Sequence, residues 1–203
     1  LPDSLVQLGR VLMEDGDLDH AHEYLNQAIE IDESFGPAHE VLGYLLLRWN
    51  EPKEAGRAFE QALALNHATP ELFLAVWNAY MAIDRLERAH ELLLDGVGRF
   101  PQNDRLYAAA GDSCVYAKGD SDAAEPYWRK AIKLNPENFS ALFSLAGLGA
   151  SRGHRREALE LLRRCTAIDA EKTRKRWKED FQSPLGRFRD FGQDPEFRKL
   201  IDG

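Results

Sequence analysis

Small residues return through this chain at a nearly fixed interval, and that interval limits what it can fold into. Ala21, Ala55, Ala89, Ala124 and Ala158 are separated by 34, 34, 35 and 34 residues. Seven positions further on, Ala28, Ala62, Gly96, Ala131 and Cys165 are again small, and four positions on, Leu25, Phe59, Leu93, Trp128 and Leu162 are large. Positions three and four apart share one face of an α-helix, so each small–large–small set forms a packing stripe. The small residue lets two helix axes approach, and the large one fills the neighbouring gap. Upstream of each stripe lies a partner helix with its own columns, Leu8-Gly9, Leu42-Gly43, Val76-Trp77, Ala110-Gly111 and Leu145-Ala146. The extra residue therefore falls between Ala110 and Ala124, most simply in the turn near Lys118-Gly119. Five antiparallel helix pairs fit between residues 2 and 170, and periods of this length mark repeat architectures.

The helix ends are signalled too. Pro37, Pro52 and Pro70 sit where a first turn is expected, a place where the missing N–H costs nothing. Asn138 is placed to cap the first helix of the fifth pair. Pro126 lies deeper, where it removes a backbone hydrogen bond, and predicts a distorted or delayed start to its helix. The run from Glu171 to about Asp180 reads as an extra helix closing the end of the array, with Trp177 and Phe181 one turn apart on one face. The following stretch alternates aromatics with Pro and Gly up to a short helix near Asp194-Pro195. Its Phe188, Phe191, Phe197, Leu200 and Ile201 are expected to pack on the repeats and to enter their groove.

These columns resemble the tetratricopeptide repeat, whose pattern runs W-x2-L-G-x2-Y…A-x3-F…P. Repeat four carries it as Tyr107, Ala110-Gly111, Ala124, Trp128 and Pro136, and repeat two as Leu42-Gly43, Ala55, Phe59 and Ala62. The resemblance covers residues 2–170. Trp77 in place of a glycine, Gly149 in place of an aromatic and Cys165 in place of an alanine are local departures. The resemblance implies a right-handed α-solenoid of five antiparallel helix pairs, with residues 171–203 as a C-terminal capping helix and tail. It also implies that the first helix of each pair lines an inner, concave surface. On that surface fall Arg10, Tyr44, Leu47, Arg48, Leu74, Asn78, Met81, Asp112, Tyr116 and Phe143, an apolar set for a face that meets water. Apolar patches of that kind usually mark interaction sites. The expectation is a non-catalytic scaffold or adaptor that binds a peptide or helix of a partner protein in this groove. Two other readings remain open: a recruiting or regulatory arm of a larger enzyme, and a self-association module.

Several ligand classes fit poorly. Relatives that hold chaperone C-terminal carboxylates use lysine, asparagine and arginine at positions matching Val6, Arg10, Val41, Glu71 and Ala75, so that specialisation is not expected. The asparagine ladder of glycosyltransferase-linked relatives is replaced by Gln7, Val41, Ala75, Ala109 and Ser144. The chain carries a net charge of −8, with −12 over residues 1–151 and +6 over residues 152–178. An acidic array disfavours nucleic acid along its length and accommodates basic partners. The basic segment around Arg174, Lys175 and Arg176 reads as a solvated face, since no aromatic platform accompanies it. Cys114 and Cys165 fall on core columns and read as reduced, buried thiols. The six histidines are scattered, and no spacing implies a metal, a cofactor or a nucleophile, so no catalytic residue is assigned. No apolar run is long enough to cross a bilayer. The start at Leu1 reads as a piece of a longer chain, and nothing in the sequence decides compartment or oligomeric state.

Overall fold

The computed structural model describes residues 1–182 and 186–202, apart from the side chains of residues 201 and 202. Every regular element among the described residues is helical. The chain divides into two compact units, Leu1–Phe100 and Pro101–Gly203. The first holds three helix pairs: α1 (Pro2–Asp15) with α2 (Leu18–Ile31), α3 (Gly36–Arg48) with α4 (Pro52–Ala64), and α5 (Pro70–Met81) with α6 (Leu86–Arg99). The second holds α7 (Asp104–Lys118) with α8 (Ser121–Leu134), and α9 (Phe139–Ser151) with α10 (Arg155–Ile168). It continues into α11 (Ala170–Gln182), a single 3-10 turn over Arg189–Phe191, and α12 (Pro195–Asp202). Within each unit the second helix of one pair also packs on the first helix of the next.

The size columns act as the sequence implies. A Cβ on Gly43 would lie 2.4 Å from the Phe59 ring, and one on Gly111 would lie 2.4 Å from the Trp128 indole nitrogen. The bulky second-helix residue therefore occupies the volume that a first-helix side chain would take. Ala21, Ala55, Ala89, Ala124 and Ala158 are all fully buried, as are Leu25, Phe59 and Leu93. Close packing of this kind leaves no room for an added methyl.

Turn chemistry repeats with the same register. Gly16, Asn50, Asp84, Gly119 and Gly153 all adopt left-handed backbone at the end of a first helix. In repeats one, two, three and five, the N–H of this residue bonds back three positions and the next N–H back five, as in Asn50 to Leu47 and Glu51 to Leu46. In repeat four, the same two donors reach back four and six, Gly119 to Val115 and Asp120 to Cys114. The single inserted residue is thus taken up in a widened closing turn that still gives the Cys114 and Val115 carbonyls a donor. Asn138 caps as expected, accepting from Ala141 N–H, and Thr69, ahead of Pro70, also caps its helix by accepting from Leu72 N–H.

Pro126 departs from expectation. It is the sixth residue of α8, which starts on time at Ser121 behind an Asp120 cap that accepts from Ala123 N–H. Proline removes one donor, the one that would reach the Asp122 carbonyl, but Pro126 lies on an exposed face where water can satisfy that group. The loss is too small to delay the helix.

The C-terminal segment completes the second unit. Trp177 and Phe181 stack with ring centroids 5.1 Å apart. Trp177 is only 8% exposed, so its face is unavailable to a nucleic-acid base. Phe188 and Phe197 are fully buried, each ring contributing about 1.5–3 kcal/mol. Asp194 caps α12 by accepting from the N–H groups of Glu196 and Phe197, and its other contacts are two hydrogen bonds from Arg155, at 2.6 and 2.9 Å. That pairing holds the Asp194 carboxyl below the usual carboxylate range. The expected packing of Ile201, and the part of the tail at residues 183–185, lie outside the described residues.

The close approach gives a paired test. Gly111→Ala should lower unfolding stability by about 1–3 kcal/mol, because the added methyl meets a fixed indole. Gly98→Ala, in the last turn of α6 with nothing within 4 Å, should be neutral or stabilise by up to about 1 kcal/mol. Urea denaturation of both variants reads the difference, and equal effects would contradict the packing account.

Candidate functional site

The first-helix faces of the two units differ. In the first unit, α1 packs directly on α3, and their exposed sides enclose a shallow pocket of about 220 Å³ lined by Arg10, Met13, Glu14, Val41, Tyr44 and Arg48. Arg10 and Arg48 are exposed, while Tyr44 and Leu47 are half-buried. The Tyr44 ring meets Phe59 edge-on at 5.1 Å, which fixes the phenol at the pocket wall. Arg48 donates to the Met13 carbonyl and so ties α3 to the end of α1. Glu40 accepts from His67 Nε2 at 2.7 Å and lies 3.9 Å from Arg10. On α5, Leu74 and Met81 are half-buried and Asn78 is exposed. Seven of the sequence-predicted residues therefore lie on the first-helix side of repeats one to three. Val6 and Val41, which match positions that hold chaperone tails in relatives, are core residues.

In the second unit the corresponding face is largely taken. Phe143, expected to be available to a ligand, is 1% exposed. The Phe188 ring meets it edge-on at 5.4 Å, and the Arg176 guanidinium lies over it at 4.8 Å. Lys172 lies over the neighbouring Phe139 ring at 4.4 Å. Such contacts are worth about 0.5–2 kcal/mol each. The chain's own α11 and tail thus cover the face that the repeat pattern alone presents as open. A sequence signal for this existed. α9 has an apolar or small residue at nearly every position, and a helix that is apolar all round is a buried one.

Asp112 is half-buried at the floor of a second pocket, of about 290 Å³, lined also by Val115, Tyr116, Ser121, Trp128, Ser144, Arg176, Asp180 and Arg187. Its carboxylate accepts from Trp128 Nε1 and Ser144 Oγ, both at 3.0 Å, and from Ser140 Oγ at 3.3 Å. Loss of hydration pushes its pKa up, against those hydrogen bonds and the charges of Arg176 and Arg187. Tyr116, at the rim, is 59% exposed. The residues that sequence reasoning missed here are Arg176, Asp180, Arg187 and Gly147. Each acts through contacts with a distant part of the chain, which no periodicity encodes.

Other candidates carry less. Asn138-Phe139-Ser140 fits a glycosylation sequon, but Asn138 is buried and donates to Asp104 at 2.7 Å, so it is not presented to solvent. Cys114 and Cys165 are buried free thiols. Burial raises both, and Cys165 is pushed up to about 12, which disfavours the reactive thiolate. Among the described residues no helix is long and apolar enough to cross a membrane.

Paired helices with this turn, cap and size register define a helical-repeat protein. Tetratricopeptide-repeat models match residues 2–35 and 115–171, and the chain belongs to the tetratricopeptide-repeat family. It is 27% identical over 148 residues to the type IV pilus assembly protein PilF of Pseudomonas aeruginosa, covering 72% of this chain and 58% of that one. It is 25% identical over 154 residues to anaphase-promoting complex subunit 7 of Arabidopsis thaliana, covering 76% of this chain and 27% of that one. The chain thus spans well under two thirds of either relative. Among solved structures, Pseudomonas aeruginosa PilF superposes with a TM-score of 0.70 at 21% identity, covering 99% of this chain and 96% of that one. YrrB, described as a TPR protein with an unusual peptide-binding site, superposes with a TM-score of 0.67 at 20% identity, covering 81% and 84%. At these identities the likeness is one of fold, and the fold is that of protein–protein interaction scaffolds.

The Asp112 environment sets a pH signature. A carboxyl whose pKa is higher folded than unfolded binds its proton more tightly in the native state. Its contribution is therefore fully present below the unfolded value and is lost as pH rises through the raised one. Asp112→Asn keeps an oxygen acceptor and removes the titration. Raising pH from 4 to 7 should lower the melting temperature of the wild type relative to this variant. Parallel curves would show that Asp112 is not desolvated as described.

Proposed function

We propose that this chain is a non-catalytic scaffold or adaptor whose first-helix face in repeats one to three binds a peptide or helix of another protein. The observation that carries the reading is the Arg10–Tyr44–Arg48 pocket, together with half-buried Leu47 on α3 and half-buried Leu74 and Met81 on α5. It combines partly exposed apolar side chains with polar groups that fix orientation, the make-up expected of a peptide groove. The fold's general use in protein interaction supports it, as does the peptide site that YrrB is described as having. Residues 1–100 hold 7 basic and 18 acidic residues, a balance of −11, which favours partner segments with basic flanks. Asp112, Tyr116 and Phe143 belong to the tail-covered face of the second unit and make no part of this primary surface. Chaperone carboxylate tails and nucleic acid are not the proposed ligands.

Site-specific photocrosslinking tests this. A benzophenone side chain at exposed Asn78 or Arg10 should capture partner protein, and one at exposed Glu91 on α6 should capture at most a tenth as much. Arg10→Glu should reduce the Asn78 capture at least fivefold with little change in melting temperature. Equal capture from Asn78 and Glu91 would refute the assignment.

A further inference from the structure

The first-helix face of repeat five holds a ligand already, and it is part of the same chain. Phe188 is fully buried against Phe143, and its N–H donates to Asp180 at 3.2 Å. Arg187 donates to the same Asp180 carboxylate at 3.1 Å, and its other end approaches the Ser144 carbonyl. Its guanidinium lies across Gly147, where an added Cβ would come within 2.7 Å of Nε. In the repeat register Gly147 is equivalent to Arg10, Tyr44, Asn78 and Asp112. The column that bears a polar or aromatic side chain in the other four repeats is bare in the one that accepts an arginine. The seat is therefore matched to a basic residue followed by an aromatic one, carried on irregular backbone.

Two features mark this occupancy as exchangeable. The tail leaves the adjoining pocket of about 290 Å³ unfilled, from Arg187 to Val115, Tyr116 and Ser121, so an incoming segment has a foothold beside the resident one. The buried Trp177 indole N–H finds no acceptor among the described residues, so the helix leading into the tail packs with an unsatisfied donor.

We infer that the first-helix face of repeat five is a second binding seat, for partner segments bearing an arginine or lysine followed by an aromatic residue, and that Arg187–Phe188 occupies it until displaced. The acids Asp112 and Asp180 select the basic residue, and the Phe139–Phe143 wall selects the ring. This seat lies wholly within residues 101–203 and stands or falls independently of the surface on repeats one to three.

The probe is a fluorescein-labelled peptide of residues 186–194, GRFRDFGQD, read by anisotropy against a scrambled peptide of the same composition. Full-length Arg187→Ala/Phe188→Ala protein should bind it at least tenfold more tightly than wild type and should ignore the scrambled form. Adding Gly147→Ala, whose methyl meets only Arg187 among its three nearest atoms, should weaken that binding at least fivefold. Equal binding to wild type and double variant, binding to neither, or indifference to Gly147→Ala would overturn the proposal. If the double variant unfolds, Arg187→Glu keeps the ring and sets like charges against Asp180. It should then increase both peptide binding and amide exchange at residues 186–194 at least threefold. No change in either would equally overturn it.

Discussion

Contact between a missing side chain on one helix and an oversized one on its partner is what the rest of this fold depends on. Gly43 under Phe59 and Gly111 under Trp128 bring the paired axes together at fixed points. Within each unit a pair buries its stripe against the next, so the core there runs from repeat to repeat instead of closing into one centre. Repeat three shows that the rule concerns summed volume more than identity. It places Trp77 in the glycine column and the smaller Leu93 in the column that holds Trp128 in repeat four, and both remain buried. Trading bulk between facing columns keeps density, which is why cores tolerate such swaps.

An array built this way has an end where the last stripe would meet water. At the fifth repeat, α11 and the tail supply the missing partner, and they do so with unusual chemistry. Their segment is rich in lysine and arginine, yet Lys172 and Arg176 lie over Phe139 and Phe143 instead of extending into solvent. Long basic side chains can cover apolar surface with their stems while their charged ends meet ring faces. The local positive charge that resembles a nucleic-acid patch in one dimension is thus partly a packing device. Arg155 with Asp194 and Arg187 with Asp180 then pin the irregular stretch at two points.

What could be read from the sequence was what the repeat enforces. The five small–large columns, the first-turn prolines, the cap at Asn138 and an insertion near Gly119 follow from local rules that recur, so each copy checks the others. Pro126 was misjudged because its cost was weighed without its exposed setting, where water can replace the one lost donor. Phe143 was misplaced for a different reason. Repeat logic assigns every first-helix residue the same surroundings, and only residue 143 has Phe188 above it. That contact spans a sequence separation which obeys no period. The polar network that holds Asp112 through Trp128, Ser140 and Ser144 was invisible in the same way.

The division between what repeats and what does not also locates function. Columns that hold helices together must keep one size, and they carry no information about a partner. The first-helix column of Arg10, Tyr44, Asn78, Asp112 and Gly147 is under no such demand, and it differs in every repeat. A side chain there lies at the edge of the core, so its identity is less bound by packing and can answer to whatever lies against it. At Gly147 the answer is visible: the side chain is absent where a guanidinium of the same molecule lies. On the proposed reading, Arg10, Tyr44 and Asn78 would likewise answer to a partner segment, the ligand of the first unit. A basic and a polar group flanking one aromatic wall over an acidic surround would then describe that ligand in negative relief.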